Sequence, residues 1–437
     1  MDPLSRDLVE RIVRKVEEHR DQVFQLLREL VQIPSVTGQE GDAQGFVKEK
    51  LSEIGLNVVS FEPDVSELRS HPSFFQTMSC RRYGYKSRPN VVGTLEGESD
   101  GKTLILNGHI DVVPPGPRRD WRYDPWSGET SDGKMYGRGA GDMKGGLAAI
   151  ISAVEVIQAL DLSLKGKVLV ESTIEEEDGG VGGALATLLK GYLGEFAIIP
   201  EPSGLDFWAA SAGVLYFRVG VRGKPAHVMR AHEGVSAIDK IWVIYRALKE
   251  LDIERRERIS FSWAEVCEPD VRGNVTVLNI GVISGGDWPS TVPAWAEIKC
   301  RIGWPPGESL AEVEGQILRK IEEVSSGDPW LRENPPEYEV IGWRAEPSIV
   351  DPSDSHIRRL SDTALQITRK RPRLCGGTAG LDMRFFINDF GIPAVCYGPV
   401  AHNIHGINES VELESVMQVT KVLALMTAEL LVDRENL

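Results

Sequence analysis

No Cys-x-x-C pair occurs in the sequence: its five cysteines (Cys80, Cys267, Cys300, Cys375, Cys396) are scattered and odd in number. That pattern offers neither a disulfide framework nor a thiolate zinc site, so any metal must be held by His and carboxylate. Long apolar runs are missing too. The most apolar stretch, residues 145–160, is interrupted by Glu155 and is too short to span a bilayer. Met1-Asp2-Pro3-Leu4-Ser5 lacks the basic start and apolar stretch of a secretory signal. Positive charge is scarce: 49 Lys and Arg against 65 Asp and Glu leave a formal charge of −16, which repels phosphate backbones. These absences predict a cytoplasmic protein with no membrane and no nucleic-acid partner. The 437 residues, 41% of them hydrophobic, are enough for a core and for roughly two or three domains.

Residues 6–31 carry Leu8, Ile12, Val16, Val23, Leu27 and Leu30 near helical spacing and predict one amphipathic helix. Apolar runs at 103–106, 168–170 and 196–199 predict buried strands, with a helix over 144–160. Strands alternating with helices give an α/β fold with a mostly parallel sheet, whose ligands collect at the carboxyl ends of the strands. The pattern changes from about Gly213 to Trp343. There, strands at 215–221, 276–283 and 294–302 and helices at 235–251 and 309–324 suit a small antiparallel sheet with two helices on one face. This is an inserted second domain, residues 214–343, between the halves 1–213 and 344–437 of the first. The α/β pattern resumes with a helix over 355–367. The polar segment 64–90, with Arg81-Arg82, Pro72 and Pro89, reads as a long excursion or flap.

Five polar sites follow the apolar runs or lie in glycine-rich turns. In Gly108-His109-Ile110-Asp111-Val112-Val113-Pro114, the imidazole can bind a metal while the carboxylate two residues on accepts from its other nitrogen. Gly137-Arg138-Gly139-Ala140-Gly141-Asp142-Met143-Lys144-Gly145-Gly146 fits neither phosphate-binding glycine motif, and Lys144 is not followed by Ser or Thr. Such a loop can press Asp142 inward to serve two cations; alternatively Asp142 only caps the following helix. Glu175-Glu176-Glu177-Asp178 would repel one another unless cations lay between them, the alternative being a solvated acidic turn. Pro200-Glu201-Pro202 aims a carboxylate from a stiff backbone, or is a plain surface turn. His402-Asn403-Ile404-His405-Gly406-Ile407-Asn408-Glu409 supplies a late histidine, which alone would be an ordinary loop residue. Together, two histidines and several carboxylates without cysteine form a ligand set for a pair of Zn²⁺, Co²⁺ or Mn²⁺ ions.

In order, G-H-x-D-x-V-P, G-R-G-x-x-D-M-K-G, E-E-E-x-G-G, Glu-Pro and a terminal His-x-x-Asn-Glu resemble the M20 metallopeptidase family. That family includes acetylornithine deacetylase, succinyl-diaminopimelate desuccinylase, aminoacylase and glutamate-releasing carboxypeptidases. The resemblance spans nearly the whole chain, and Arg222-Gly223-Lys224-Pro225-Ala226-His227 is similar to the family's lid motif. It implies a dinuclear-metal catalytic domain with an inserted α+β lid that also makes a homodimer. Carried over by motif, His109, Asp142 and Glu201 would hold one metal, Zn²⁺ foremost; Asp142 as bridge, Glu177 and His405 would hold the other. Glu176 would be the general base and Asp111 the partner of His109. Asp178-Gly179-Gly180 is similar to the family's residue-then-glycine spacing, so the resemblance implies these roles for Glu176 and Glu177 rather than Glu175; only His405, not His402, has the family's Asn and Glu three and four residues on.

In the lid, His227 would reach a neighbouring subunit's site to stabilise the developing oxyanion, and Arg301 would bind a substrate carboxylate. Arg384, in an extended form of the family's glycine-rich loop, is a second candidate for that carboxylate. Ser290 stands where relatives often have Asn. The implied activity is hydrolysis of the amide of a small N-acyl amino acid or related N-acylated amine. A dipeptidase or carboxypeptidase, a deformylase or decarbamoylase of a small amine, and an inactive binding protein are the alternatives.

Overall fold

The computed structural model describes residues 4–433; Met1, Asp2 and Pro3 of the N-terminal reading lie outside the described residues. The chain divides into two compact units. One runs to Ala209 and takes in Val350–Leu374 and the chain from Leu381 on; the other is Ala210–Ile349 with Cys375–Gly380.

The first unit is built on a mixed sheet. Its strands lie in the order Asn57–Phe61, Asn90–Glu96, Lys165–Thr173, Ser99–His109, Phe196–Ile199, Ala394–Cys396 and Phe207–Ser211. The four central strands, from Lys165–Thr173 to Ala394–Cys396, are parallel, and their neighbours on either side run antiparallel. The parallel reading therefore holds for the middle of the sheet alone. Leu104, Ile105 and Leu106 are all fully buried, as are Val168 and Val170, because both faces of these strands are covered. The helices Gly145–Ala159 and Leu413–Leu431 pack together and are buried nearly all round. In register, His109 stands opposite Thr173, so two neighbouring strands end level. The acids that follow Thr173 thus emerge beside His109.

Two expectations for this unit are corrected. The N-terminal helix is two helices, Arg6–Glu18 and Arg20–Gln32, with His19 between them donating from Nδ1 to the Lys15 carbonyl at 2.9 Å. The apolar spacing continues across the break, which hides it. Segment 64–90 is no flap: it forms short helices at Val65–Leu68 and Met78–Tyr83 and buries Thr77, Ser79, Cys80, Tyr85 and Arg88. Half of the residues it buries are polar and the apolar ones, Leu68, Phe75, Cys80 and Tyr85, follow no regular spacing, so hydrophobic pattern carries little sign of it.

The second unit holds a four-stranded antiparallel sheet in the order Val277–Gly285, Trp295–Trp304, Gly213–Arg222, Glu337–Ala345. The fourth strand escaped the sequence pattern because it buries few side chains along its first half. Helices Ala237–Arg258 and Leu310–Gly327 form the core with one sheet face, where Phe217, Val219, Ile298 and Ile302 meet Ile241 and Ile317. Cys267 and Cys375, 108 residues apart, are joined as a disulfide in this unit. That corrects the expectation of no disulfide. No helix among the described residues is long and apolar enough to cross a membrane.

Candidate active site

His109 ends its strand and is 2% exposed. Its Nδ1 lies 2.8 Å from the main-chain carbonyl of Asp111. A carbonyl only accepts, so Nδ1 carries a proton, which leaves Nε2 as the nitrogen that could offer a lone pair to a cation once the ring is neutral. The expected acceptor was the Asp111 carboxylate, whose Oδ1 is 3.6 Å away. That carboxylate is taken instead by the Thr37 hydroxyl at 2.8 Å and by the main-chain N–H groups of Glu176 and Glu177 at 3.1 and 3.3 Å.

Nε2 of His109 faces Asp142 Oδ1 at 3.2 Å and Glu201 Oε1 at 3.6 Å. The other oxygen of Asp142, Oδ2, is 3.2 Å from His405 Nε2, which also meets Glu177 Oε2 at 2.9 Å. The glycine-rich loop serves this aim by close packing. A Cβ at Gly146 would fall 2.1 Å from the Pro200 carbonyl, one residue before Glu201. The main-chain N–H groups of Gly141 and Asp142 donate to Glu409 Oε1 at 3.0 and 3.1 Å. Glu409 is in turn paired with buried Arg138, which stacks on Trp121 and donates to the carbonyls of His405 and Gly406. One ion pair therefore joins the Asp142 loop to the His405 loop. Lys144 binds no anion: its Nζ donates to the carbonyls of Leu30 and Ile33 at 2.8 Å, and burial pulls its pKa down to about 7.

Along the acidic run the side chains part company. Glu175 is buried away from the imidazoles, and Asp178 accepts from the Ser79 N–H at 2.6 Å. Glu177 joins His109 and Asp142, and Glu176 joins His109 and Glu201, each trio with potential ligand atoms within 4.8 Å of one another. His402 is outside this cluster and meets Glu412 at 2.8 Å.

Burial, then the nearby Asp382 carboxylate, push the Glu176 carboxyl well up; burial and Asp142 raise Glu177. Burial opposes charge on His109, yet the carboxylates of Glu201 and Asp142 hold it well above its ordinary value. Hydrogen bonds to Asp142 and Glu177 raise His405 to about 10. Carboxylates so close together stay ionised only with positive charge among them. Glu176 Oε1 is buried without a hydrogen-bond partner. The donor set is imidazole and carboxylate without thiolate, and it fits a pair of divalent cations.

Other sequence candidates lie elsewhere. His227 is exposed at the N-terminus of the short helix Val228–Glu233, its Nδ1 accepting from the Met229 N–H. Arg301, between buried Cys300 and Ile302, lies on the face of its sheet opposite the two helices. Both belong to the second unit. Arg384 is 3% exposed in the first; it donates to the carbonyls of Leu381 and Gly179 at 3.0 and 2.5 Å and stacks on Phe385. Two features were missed. Asp382 packs so closely under the acidic turn that a Cβ at Gly180 would meet its Oδ1 at 1.8 Å. The hydroxyls around Glu175 come from the segment read as a long excursion or flap.

A parallel-centred sheet whose strand ends gather two imidazoles and several carboxylates defines a metal-dependent amidohydrolase. The model of peptidase family M20/M25/M40 matches residues 105–429, and the chain belongs to that family. It is 29% identical over 94% of its length to the N-formyl-4-amino-5-aminomethyl-2-methylpyrimidine deformylase of Bacillus subtilis strain 168, covering 95% of that protein. It is 26% identical over 91% of its length to the succinyl-diaminopimelate desuccinylase of Methylorubrum populi, covering 95% of it. Human carnosine dipeptidase 1 shares the fold, with a TM-score of 0.71 and 19% identity over 98% of this chain and 99% of that one.

Proposed function

We propose that the chain hydrolyses the amide of a small N-acylated amine at a pair of divalent cations. His109, Asp142 and Glu201 would hold one cation; Asp142, Glu177 and His405 would hold the other, Zn²⁺ foremost with Co²⁺ or Mn²⁺ as alternatives. When bound, such a pair supplies Lewis acidity toward a carbonyl oxygen and makes water more acidic. The observation that carries this reading is Asp142, whose two oxygens each lie 3.2 Å from a different imidazole nitrogen. A helix-capping aspartate has no need of that arrangement.

Glu176 takes the proton of the attacking water as the new C–O bond forms, and returns it to the nitrogen as the C–N bond breaks. Asp111 positions Glu176 and Glu177 through their main-chain N–H groups. His227, from the lid of a second copy, would donate to the carbonyl oxygen as negative charge develops, and Arg301 would meet a substrate carboxylate. Arg384 is committed to main-chain carbonyls, so we assign it to holding the turn after the acids rather than to substrate. A homodimer would form through the second unit, whose edge strand Val277–Gly285 exposes Val282 and Ile283 by about half. The cytoplasm remains our reading of where the enzyme works.

A formyl group on a heterocyclic amine is a second reading, favoured by the deformylase relative and by the hydrogen bonds of Arg384 to main-chain carbonyls. Turnover of N-formyl, N-acetyl and N-succinyl amines and of dipeptides, run beside elemental analysis, tests both. We expect about two metal ions per chain and inactivation by a chelator. Full activity with at most one tightly bound metal would remove the dinuclear model.

A further inference from the structure

We propose that residues 77–88 are a positioning element for the acidic turn: Thr77, Ser79 and Tyr85 grip Glu175, and so hold Glu176 and Glu177 toward the imidazoles. This inference rests on the hydrolase reading above.

Glu175 is fully buried and sits in the left-handed region, φ 67° and ψ 16°, which side chains with a Cβ rarely adopt. Its carboxylate accepts four hydrogen bonds. The hydroxyls of Thr77 and Ser79 reach Oε1 at 2.5 and 2.6 Å; the Tyr85 hydroxyl and the Gly182 N–H reach Oε2, each at 2.8 Å. Gly182 must be glycine for this approach, since a Cβ there would lie 2.4 Å from the Tyr85 ring. The same segment grips the far end of the turn, where the Ser79 N–H donates to Asp178. The outer two acids of the run thus face segment 77–88. The inner two face the histidines, and their N–H groups are held from the other side by Asp111.

The chemistry of the grip suits its place. A free cation against Glu175 would repel divalent ions bound nearby, whereas hydroxyls satisfy a carboxylate without adding charge. The nearest guanidinium, Arg88, is 3.9 Å from Glu175 but committed to Glu40 at 2.6 and 2.7 Å. With the grip removed, the strained turn is free to relax, and Glu176 would leave its position beside His109 and Glu201. A displacement of about 1 Å at a reacting group is enough for a large rate loss.

The test uses the full-length enzyme with its metals, on whichever amide of the substrate panel is turned over fastest. The triple variant Thr77→Val, Ser79→Ala, Tyr85→Phe should lose at least about tenfold in kcat, with KM within about threefold. Restoring the hydroxyl at position 77 with Thr77→Ser in that background should recover part of the loss. Tyr85→Phe alone covers the case in which the triple variant fails to fold, and should lower kcat in the same sense. Folded variants with wild-type kcat, whether or not their melting temperature falls, would show the segment to be merely structural and overturn the proposal. Glu176→Gln, run in parallel, separates the two claims. If it turns over like wild type, Glu176 is not the base, and this inference fails with that assignment; if no amide of the panel is turned over by the wild-type enzyme, the hydrolase reading itself fails. If Glu176→Gln is inactive while the grip variants keep wild-type kcat, only this inference fails.

Discussion

The Asp111 carboxylate accepts a hydrogen bond from the main-chain N–H of Glu176 at 3.1 Å. Its other oxygen takes the N–H of Glu177. Asp111 therefore acts on the acids across the site more than on the histidine two residues before it. Asp111→Asn keeps the shape but turns one acceptor into a donor that faces an N–H. We expect about a 10–100-fold loss of activity or metal affinity. Steady-state kinetics with metal titration would check it, and wild-type values in both would leave Asp111 without this role.

Glu176 and Glu177 are adjacent but should fail differently. Glu176→Ala should lower kcat by about 10²–10⁴-fold with metal occupancy near wild type, since a base is not a ligand. Glu177→Ala should lose metal, because Glu177 meets His405 at 2.9 Å beside Asp142. Metal content and kcat measured on both variants decide the matter. An exchange of the two behaviours would shift the role of each acid by one position.

How far the site was legible follows from how local each part is. His109, Asp142, Glu201 and His405 each stand in a short motif whose neighbours fix the backbone, and the structure brings those four together. Nothing local marks Thr77, Ser79 or Tyr85, which are ordinary hydroxyl residues 90–98 positions before Glu175. Arg384 shows the opposite limit. A motif arginine near a substrate loop suggests a ligand, and only its burial against Gly179 and Phe385 shows it engaged. In the fold, the central strands were evident because burial on both faces leaves unbroken apolar runs. Glu337–Ala345 was not, because most of its first half is at least partly exposed.

Metal binding should release protons. Without metal, Asp142 and Glu177 hold His405 protonated up to about pH 10. The sign follows: this pairing stabilises the metal-free fold fully below the unfolded histidine's pKa, and that stabilisation is lost as pH rises through about 10. A ligand histidine must be neutral, so metal affinity should rise across the neutral and mildly alkaline range. Calorimetric metal titration in buffers of different ionisation enthalpy would read the protons directly. An affinity that does not change with pH would contradict the assignment of His405 as ligand.

The Arg138–Glu409 pair, nearly fully buried, ties the Asp142 loop to the His405 loop. Arg138→Met would leave Glu409 buried and uncompensated, at a cost of about 3–5 kcal/mol. Denaturant midpoints of the metal-free protein should fall accordingly, with weaker metal binding in parallel. A variant that lost stability but bound metal as wild type would confine the pair to the fold.

His227 offers the sharpest test of the dimeric mechanism. It is exposed, and its Nδ1 accepts only from the Met229 N–H two residues on, so nothing in its own unit requires an imidazole there. As an ordinary surface histidine its replacement by Ala should cost little. As a donor to the developing oxyanion, His227→Ala should lower kcat by about 10²–10³-fold. KM should change less, because the interaction strengthens chiefly in the transition state. If the donor comes from a second copy, neither His227→Ala nor Glu176→Ala homodimers should turn over. Mixing them should then restore activity, since one site of each hybrid dimer has both residues intact. Native mass spectrometry would confirm that subunits have exchanged. Exchange without rescue would place His227 in its own chain's site or outside catalysis altogether.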